Sequence, residues 1–290
     1  MPRRRRYLLL AIVAALVAAA AMLVPGAFAR DHTSWIKPGM TQTQPSPTGV
    51  GGSASTTHPA YVVNVNFQGE FLGWALRDSN GVLTGDNMTA TSSTESMIKT
   101  WLVADFLRTH KPTERDLDRA SEAIRWSDDD DAQALYNANG GNKSIERMIK
   151  MCGLNDTTVY DGWWSRTQMS PRDAVALGDC LANGTAAGPT WTPWLINEMR
   201  RVEGTTAPGD QKERRGGGRW GIVDGVPASI SETVAIKNGW TSIGADGNWH
   251  LNCLAFTDHW TMSIMMRYPS SLGLDYGAGV CRNIATQLLH

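Results

Sequence analysis

The chain is poor in the patterns that build metal and nucleic-acid sites. Its six histidines are scattered, no H-E-x-x-H run occurs, and the four cysteines lack metal-ligand spacing, so no metal is expected. No basic patch stands out against a formal net charge of −1, and nucleic acid is not an expected partner. Even that balance is set by the N-terminus. Arg3 to Arg6 carry no acidic neighbour before Ala29, and beyond them 23 basic residues face 28 acidic ones, a net charge of about −5. Arg214, Arg215 and Arg219 lie among glycines and read as a loop.

Arg3 to Arg6 are followed by an apolar run from Leu8 to Val24, a Pro25-Gly26 break and Ala27-Phe28-Ala29, an A-x-A cleavage pattern. Residues 1–29 therefore read as a secretory signal peptide. An uncleaved membrane anchor is the alternative, and paired arginines before Tyr7-Leu8-Leu9 leave twin-arginine export open. No cysteine lies near the cleavage point, which argues against a lipoprotein anchor. Residues 30–58 are rich in Pro, Gly, Ser and Thr and read as a flexible linker. The remainder, 59–290, is expected to be a secreted or extracytoplasmic domain acting as a monomer, membrane-attached only if the N-terminal segment is retained.

Four cysteines behind a signal peptide suggest two disulfides among three pairings. Cys152–Cys180 and Cys253–Cys281 are favoured because each would join neighbouring elements.

Tyr61–Phe67 and Phe71–Leu76 read as strands, with a turn at Ser79-Asn80-Gly81. Met97, Ile98, Trp101 and Leu102 recur at helical spacing in a helix ending before Pro112. Thr113 and Asp116 resemble a capping box ahead of a stripe of Leu117, Ala120 and Ile124. Ser144–Met151 is a short helix closed by Gly153, and Ser170-Pro171 and Thr192-Pro193 open two more. Thr233–Lys237, Trp249–Phe256 and Trp260–Tyr268 read as strands and Leu274–Leu289 as a last helix. This order predicts an α/β (α+β) fold. An antiparallel sheet built from both ends of the chain would be flanked by helices, with an all-helical subdomain at about 94–202 inserted and a cleft between the two.

Ser96 and Lys99 are three apart and share a helix face. A serine hydroxyl needs a base within reach, and a lysine one turn along can serve if its pKa is lowered. Backbone N–H groups at a helix start can hold an oxyanion. The pattern S-x-x-K is weak alone: Ser34 and Lys37 repeat it, but Pro38 disfavours helix there. Two further patterns follow, Ser127-Asp128-Asp129 and Lys237-Asn238-Gly239. In this order the three resemble the signatures S-x-x-K, S-D-N and K-T-G of the penicillin-recognising serine enzymes, the class A β-lactamases and D-alanyl-D-alanine peptidases. The resemblance covers about 58–290.

That resemblance implies a β-lactamase-like fold and a serine hydrolase without cofactor, acting through an acyl-enzyme on β-lactams or peptidoglycan-derived D-alanyl peptides. It makes Ser96 the nucleophile, Lys99 its base or proton shuttle and Ser127 the proton donor to the leaving nitrogen. Lys237 would attract the substrate carboxylate, with Asp129, Asn238, Gly239 and Trp240 lining the substrate and the N–H groups of Ser96 and Trp240 forming the oxyanion hole. Three departures stand out. Asp129 replaces the usual Asn, and an ionised carboxylate cannot donate to a substrate and tends to keep Lys99 protonated. Asn238 replaces Thr. Between Glu146 and Glu198 there is no glutamate for the usual deacylating base, and Asp161 is a weak substitute within 155–165. A non-catalytic penicillin-binding or sensor module that keeps the pocket is therefore the alternative.

Overall fold

The computed structural model describes residues 62–213 and 216–289. The expected signal peptide and linker, Ser34, Lys37, Arg214 and Arg215 lie outside them. Strands β1 (Phe71–Arg77) and β2 (Leu83–Asp86) form a hairpin across the expected turn. A short strand β3 (Ser92–Ser93) precedes a 3-10 turn, Glu95–Ile98, which runs straight into α1 (Lys99–Thr109). Next come α2 (Glu114–Arg125), α3 (Asp129–Ala138), α4 (Asn142–Cys152), β4 (Gln168–Met169), α5 (Pro171–Ala182), α6 (Thr192–Arg200) and α7 (Pro208–Glu213). Strands β5 (Ala235–Ile243), β6 (Asn248–Phe256) and β7 (Thr261–Pro269) follow, and α8 (Gly273–Leu288) ends the chain.

The large sheet is antiparallel in the order β2-β1-β7-β6-β5, so its central strands come from opposite ends of the sequence. Its two faces are told apart by residue parity. Leu251 and Cys253 face α8, where a Cβ on Gly277 would strike Leu251 and Tyr268. Leu254, Phe256 and Thr261 point the other way and leave room only for Gly178 of α5. Lys237 pairs with Leu254 and Gly239 with Asn252, so both belong to the α5 face. Helix α1 is buried nearly all round, with Trp101, Leu102 and Val103 wholly inaccessible.

The local rules hold in detail. Thr113 and Asp116 close a full capping box at α2, Asp128 caps α3 by accepting from the Asp131 N–H, and Ser170 with Pro171 opens α5. Gly153 ends α4 in the left-handed conformation. Both disulfides are the favoured pairs: Cys152–Cys180 ties α4 to α5, and Cys253–Cys281 ties β6 to α8. Each closes a loop of 28 residues, a constraint worth about 3 kcal/mol.

The expected strand at Tyr61–Phe67 is not one. The edge of β1 is already taken by β2. Residues 62–67 instead lie without regular structure against α8, where the Gln287 side chain donates to the Asn64 carbonyl and accepts from the Asn64 N–H. β2 and α7 were not foreseen, and β5 continues well past Lys237.

Candidate active site

Ser96 is placed by the buried residues on either side of it. Met97 and Ile98 are inaccessible and anchor the 3-10 turn in the core, while Ser96 stays half-exposed at the edge of a cleft of about 430 Å³. β5 passes directly beside the turn. A Cβ on Gly239 would lie 2.5 Å from the Met97 nitrogen, 2.6 Å from the Thr94 carbonyl oxygen and 2.7 Å from the Ser96 nitrogen. Only glycine lets the strand lie against the backbone amide of Ser96.

Two lysines converge on one hydroxyl. Lys99 Nζ lies 2.6 Å from Asp129 Oδ1, 2.5 Å from the Ser127 carbonyl oxygen and 3.3 Å from Ser127 Oγ. It also sits 5.3 Å from the centre of the Trp164 ring, a favourable place for a cation. Lys237 Nζ lies 2.9 Å from the same Ser127 Oγ. Both lysines are wholly buried, whereas the Asp129 carboxyl is 67% exposed. Burial, and then the charge of Lys99, push Lys237 well below the ordinary lysine range, with Asp129 pulling the other way. Two ammonium groups sharing one hydroxyl is a costly state; one shared positive charge is the cheaper arrangement. Ser127 holds its place with φ of 60°, a left-handed conformation that is uncommon away from glycine.

Of the expected residues, Ser96, Lys99, Ser127, Asp129, Lys237 and Gly239 come together here. Trp240 also reaches the cleft wall, braced edge-on against Trp220 and donating from Nε1 to Gln211. Asn238 does not join them. It is one residue from Lys237 on a strand and so faces the other side, where its buried amide donates to the carbonyls of Gly218 and Trp220 at 2.8 Å each. Its visible task is to hold the glycine-rich loop to β5. The loop at 155–165 offers no spare base. Asp156 is bound by Arg172 and Ser170, and exposed Asp161 accepts from Asn142.

The cleft has walls the motifs did not announce: Gln133, Trp163, Ser165, Arg166 and Thr241. The most consequential is Glu95, which is only 3% exposed yet lines the cleft beside Ser96. Its backbone also adopts a positive φ, 48°. Position next to S-x-x-K was the one available signal for it, and no motif includes that position.

No family model matches the chain. Among curated proteins it is similar to "Putative lipoprotein LppW" of Mycobacterium tuberculosis and of Mycobacterium bovis, at 26% identity over 192 residues. That match covers 63% of this chain, and the chain spans only 58% of the relative's length. Solved structures resemble it more fully. A class A β-lactamase from Mycobacterium abscessus superposes with a TM-score of 0.54 at 17% identity, covering 74% of this chain and 93% of its own. PBP-A gives 0.56 at 14% identity, covering 75% and 88%. A β-lactamase from Sphaerobacter thermophilus gives 0.58 at 13% identity, covering 74% and 89%. The chain therefore has the fold of the penicillin-recognising serine enzymes.

Proposed function

We propose that this chain is an exported serine hydrolase that forms an acyl-enzyme at Ser96 with β-lactams or D-alanyl peptides and releases the product slowly. The observation that carries this reading is the convergence of Lys99 and Lys237 on Ser127 Oγ at the cleft that holds Ser96. A variant of PBP-A is known as an acyl-enzyme complex with penicillin G, which supports the same chemistry on this fold.

Acylation needs an unprotonated amine near Ser96. The proton on Lys99 can pass to Ser127 Oγ while the Ser127 proton passes to Lys237, which burial has made ready to exchange it. Lys99 then takes the Ser96 proton as Oγ bonds to the substrate carbonyl carbon. The oxyanion is met by the N–H groups of Ser96 and Trp240, and Ser127 protonates the nitrogen as its bond to carbon breaks and takes a proton back from the Lys237 ammonium, which leaves Lys99 charged. The buried positive charge shared by the lysines attracts the substrate carboxylate.

The two disulfides and the named lipoprotein relatives support a place outside the cytoplasm. Among the described residues no helix is long and apolar enough to cross a membrane.

The Asp129–Lys99 ion pair favours a second reading, a penicillin sensor whose base is held protonated. Stopped-flow mixing with a chromogenic β-lactam separates the two. The expected trace is a burst equal to the enzyme concentration followed by slow turnover. Absence of both burst and turnover would favour the sensor, and fast hydrolysis without a burst would contradict slow release.

A further inference from the structure

Hydrolysis of an ester at Ser96 requires a second proton acceptor, and the site described above commits its lysines to acylation. We infer that Glu95 is that acceptor, held as a carboxylate by its link through Ser93 to the His250–Asp246 pair. This rests on the acyl-enzyme reading of Ser96.

The four side chains form one unbroken line. Glu95 Oε1 lies 2.6 Å from Ser93 Oγ, Ser93 Oγ 2.7 Å from His250 Nδ1, and His250 Nε2 2.7 Å from Asp246 Oδ2. Ser93 and His250 are buried, Glu95 opens on the cleft, and the Asp246 carboxyl is 41% exposed at the turn after β5. The line thus begins at the cleft, one residue from the nucleophile, and ends at an exposed carboxyl. Ser93, His250 and Asp246 have the connectivity of a hydrolytic triad, but Ser93 is 2% exposed and no substrate reaches it.

Proton counting shows what the line can do. Three hydrogen bonds in series between two carboxyl groups need three protons, and the serine hydroxyl supplies one. Burial works to raise the Asp246 carboxyl, but the His250 contact, the Asn248 N–H at 3.0 Å and the charge of Arg267 outweigh it and hold it below the usual range. Nε2 of His250 therefore carries a proton. Two arrangements complete the count. In one, His250 is an imidazolium, Ser93 donates to Glu95, and Glu95 is a carboxylate. In the other, Ser93 donates to a bare Nδ1 and Glu95 is a carboxylic acid that donates to Ser93. They differ by the shift of two protons along the line and have the same total charge. Glu95 can switch between base and acid without a net change of buried charge, which a lone buried carboxylate cannot do.

In the step proposed, water adds to the acyl carbon as one of its protons passes to Glu95. The carbon–Oγ bond then breaks, and Ser96 Oγ takes a proton from the Lys99 ammonium. Glu95 gives its proton to water in the cleft as the product leaves, the imidazolium of His250 held by Asp246 keeping it a carboxylate through Ser93, and the acid proton of the product restores Lys99. The sum is one ester and one water giving Ser96 hydroxyl, a carboxylate and a proton. Two other acids line the cleft. Asp129 is engaged with Lys99, and Asp130 sits exposed in the first turn of α3.

The test is the lifetime of the acyl-enzyme after excess β-lactam is removed, followed by intact mass in the wild type and in Glu95→Gln, Asp246→Asn and Asp130→Asn, with a thermal melt of each. Gln keeps an acceptor for Ser93 and so keeps the turn, but it cannot take the proton. Glu95→Gln should form the adduct and hold it about 100-fold longer. Asp246→Asn should lengthen it about tenfold, and Asp130→Asn should not change it. An adduct equally short-lived in wild type and folded Glu95→Gln, or one prolonged by Asp130→Asn instead, would overturn the role of Glu95 alone. Should Glu95→Gln not fold, an unchanged lifetime in Asp246→Asn would overturn it. Absence of any adduct in the wild type would overturn the acyl-enzyme reading on which it rests.

Discussion

Gly239→Ala should yield a folded protein whose acylation by a β-lactam is on the order of 100-fold slower. The added methyl would lie 2.5–2.7 Å from three backbone atoms of residues 94, 96 and 97. No side chain can swing aside, because the atoms it meets belong to the turn that carries the nucleophile. Either β5 or that turn must retreat by several tenths of an ångström, and the gap between Ser96 and the N–H of Trp240 widens with it. Overpacking of this kind also costs about 1–3 kcal/mol of stability, visible as a lowered melting temperature. Gly244→Ala is the control, since nothing stands within 4 Å of its added Cβ. Wild-type acylation by Gly239→Ala would show that the contact between β5 and the turn has no part in the chemistry.

Asp129→Asn should accelerate acylation about tenfold, because loss of the carboxylate charge makes the Lys99 ammonium easier to deprotonate. The Asp129 carboxylate lies 2.6 Å from a buried amine that also meets the Ser127 carbonyl and hydroxyl oxygens and the face of Trp164. Removing its charge moves the shared proton toward Lys237 and frees Lys99 more often. The effect is held to this size because the carboxyl is 67% exposed and water screens it. An amide also keeps a hydrogen-bond acceptor for Lys99 and adds a donor toward the cleft. Slower acylation in Asp129→Asn would mean that the carboxylate positions Lys99 rather than restrains it.

Much of this site was legible in the sequence because its parts are local. A serine and a lysine three apart, a cap sequence before a helix, and a lysine and a glycine two apart on one strand each carry their geometry with them. The disulfides were legible for the same reason, as each joins adjacent elements. What was not legible depends on tertiary packing. Strand parity alone would have turned Asn238 away from Lys237, but the partner carbonyls at Gly218 and Trp220 come from a loop about twenty residues away. β2 is too short and too exposed to show periodicity, and its presence denied residues 62–67 a sheet edge. Glu95 gave no signal beyond its place next to S-x-x-K. Its importance arises from a left-handed turn and from His250, which lies 157 residues from Ser93 and reaches it only through the sheet.

The central claim is that Ser96 is acylated. The most direct measurement is the intact mass of the folded domain after incubation with benzylpenicillin, with the modified peptide sequenced. One adduct per molecule is expected, at Ser96, retained in Ser34→Ala and absent from Ser96→Ala. An adduct on Ser96→Ala equal to that of the wild type, or no adduct on either wild type or Asp129→Asn, would contradict it.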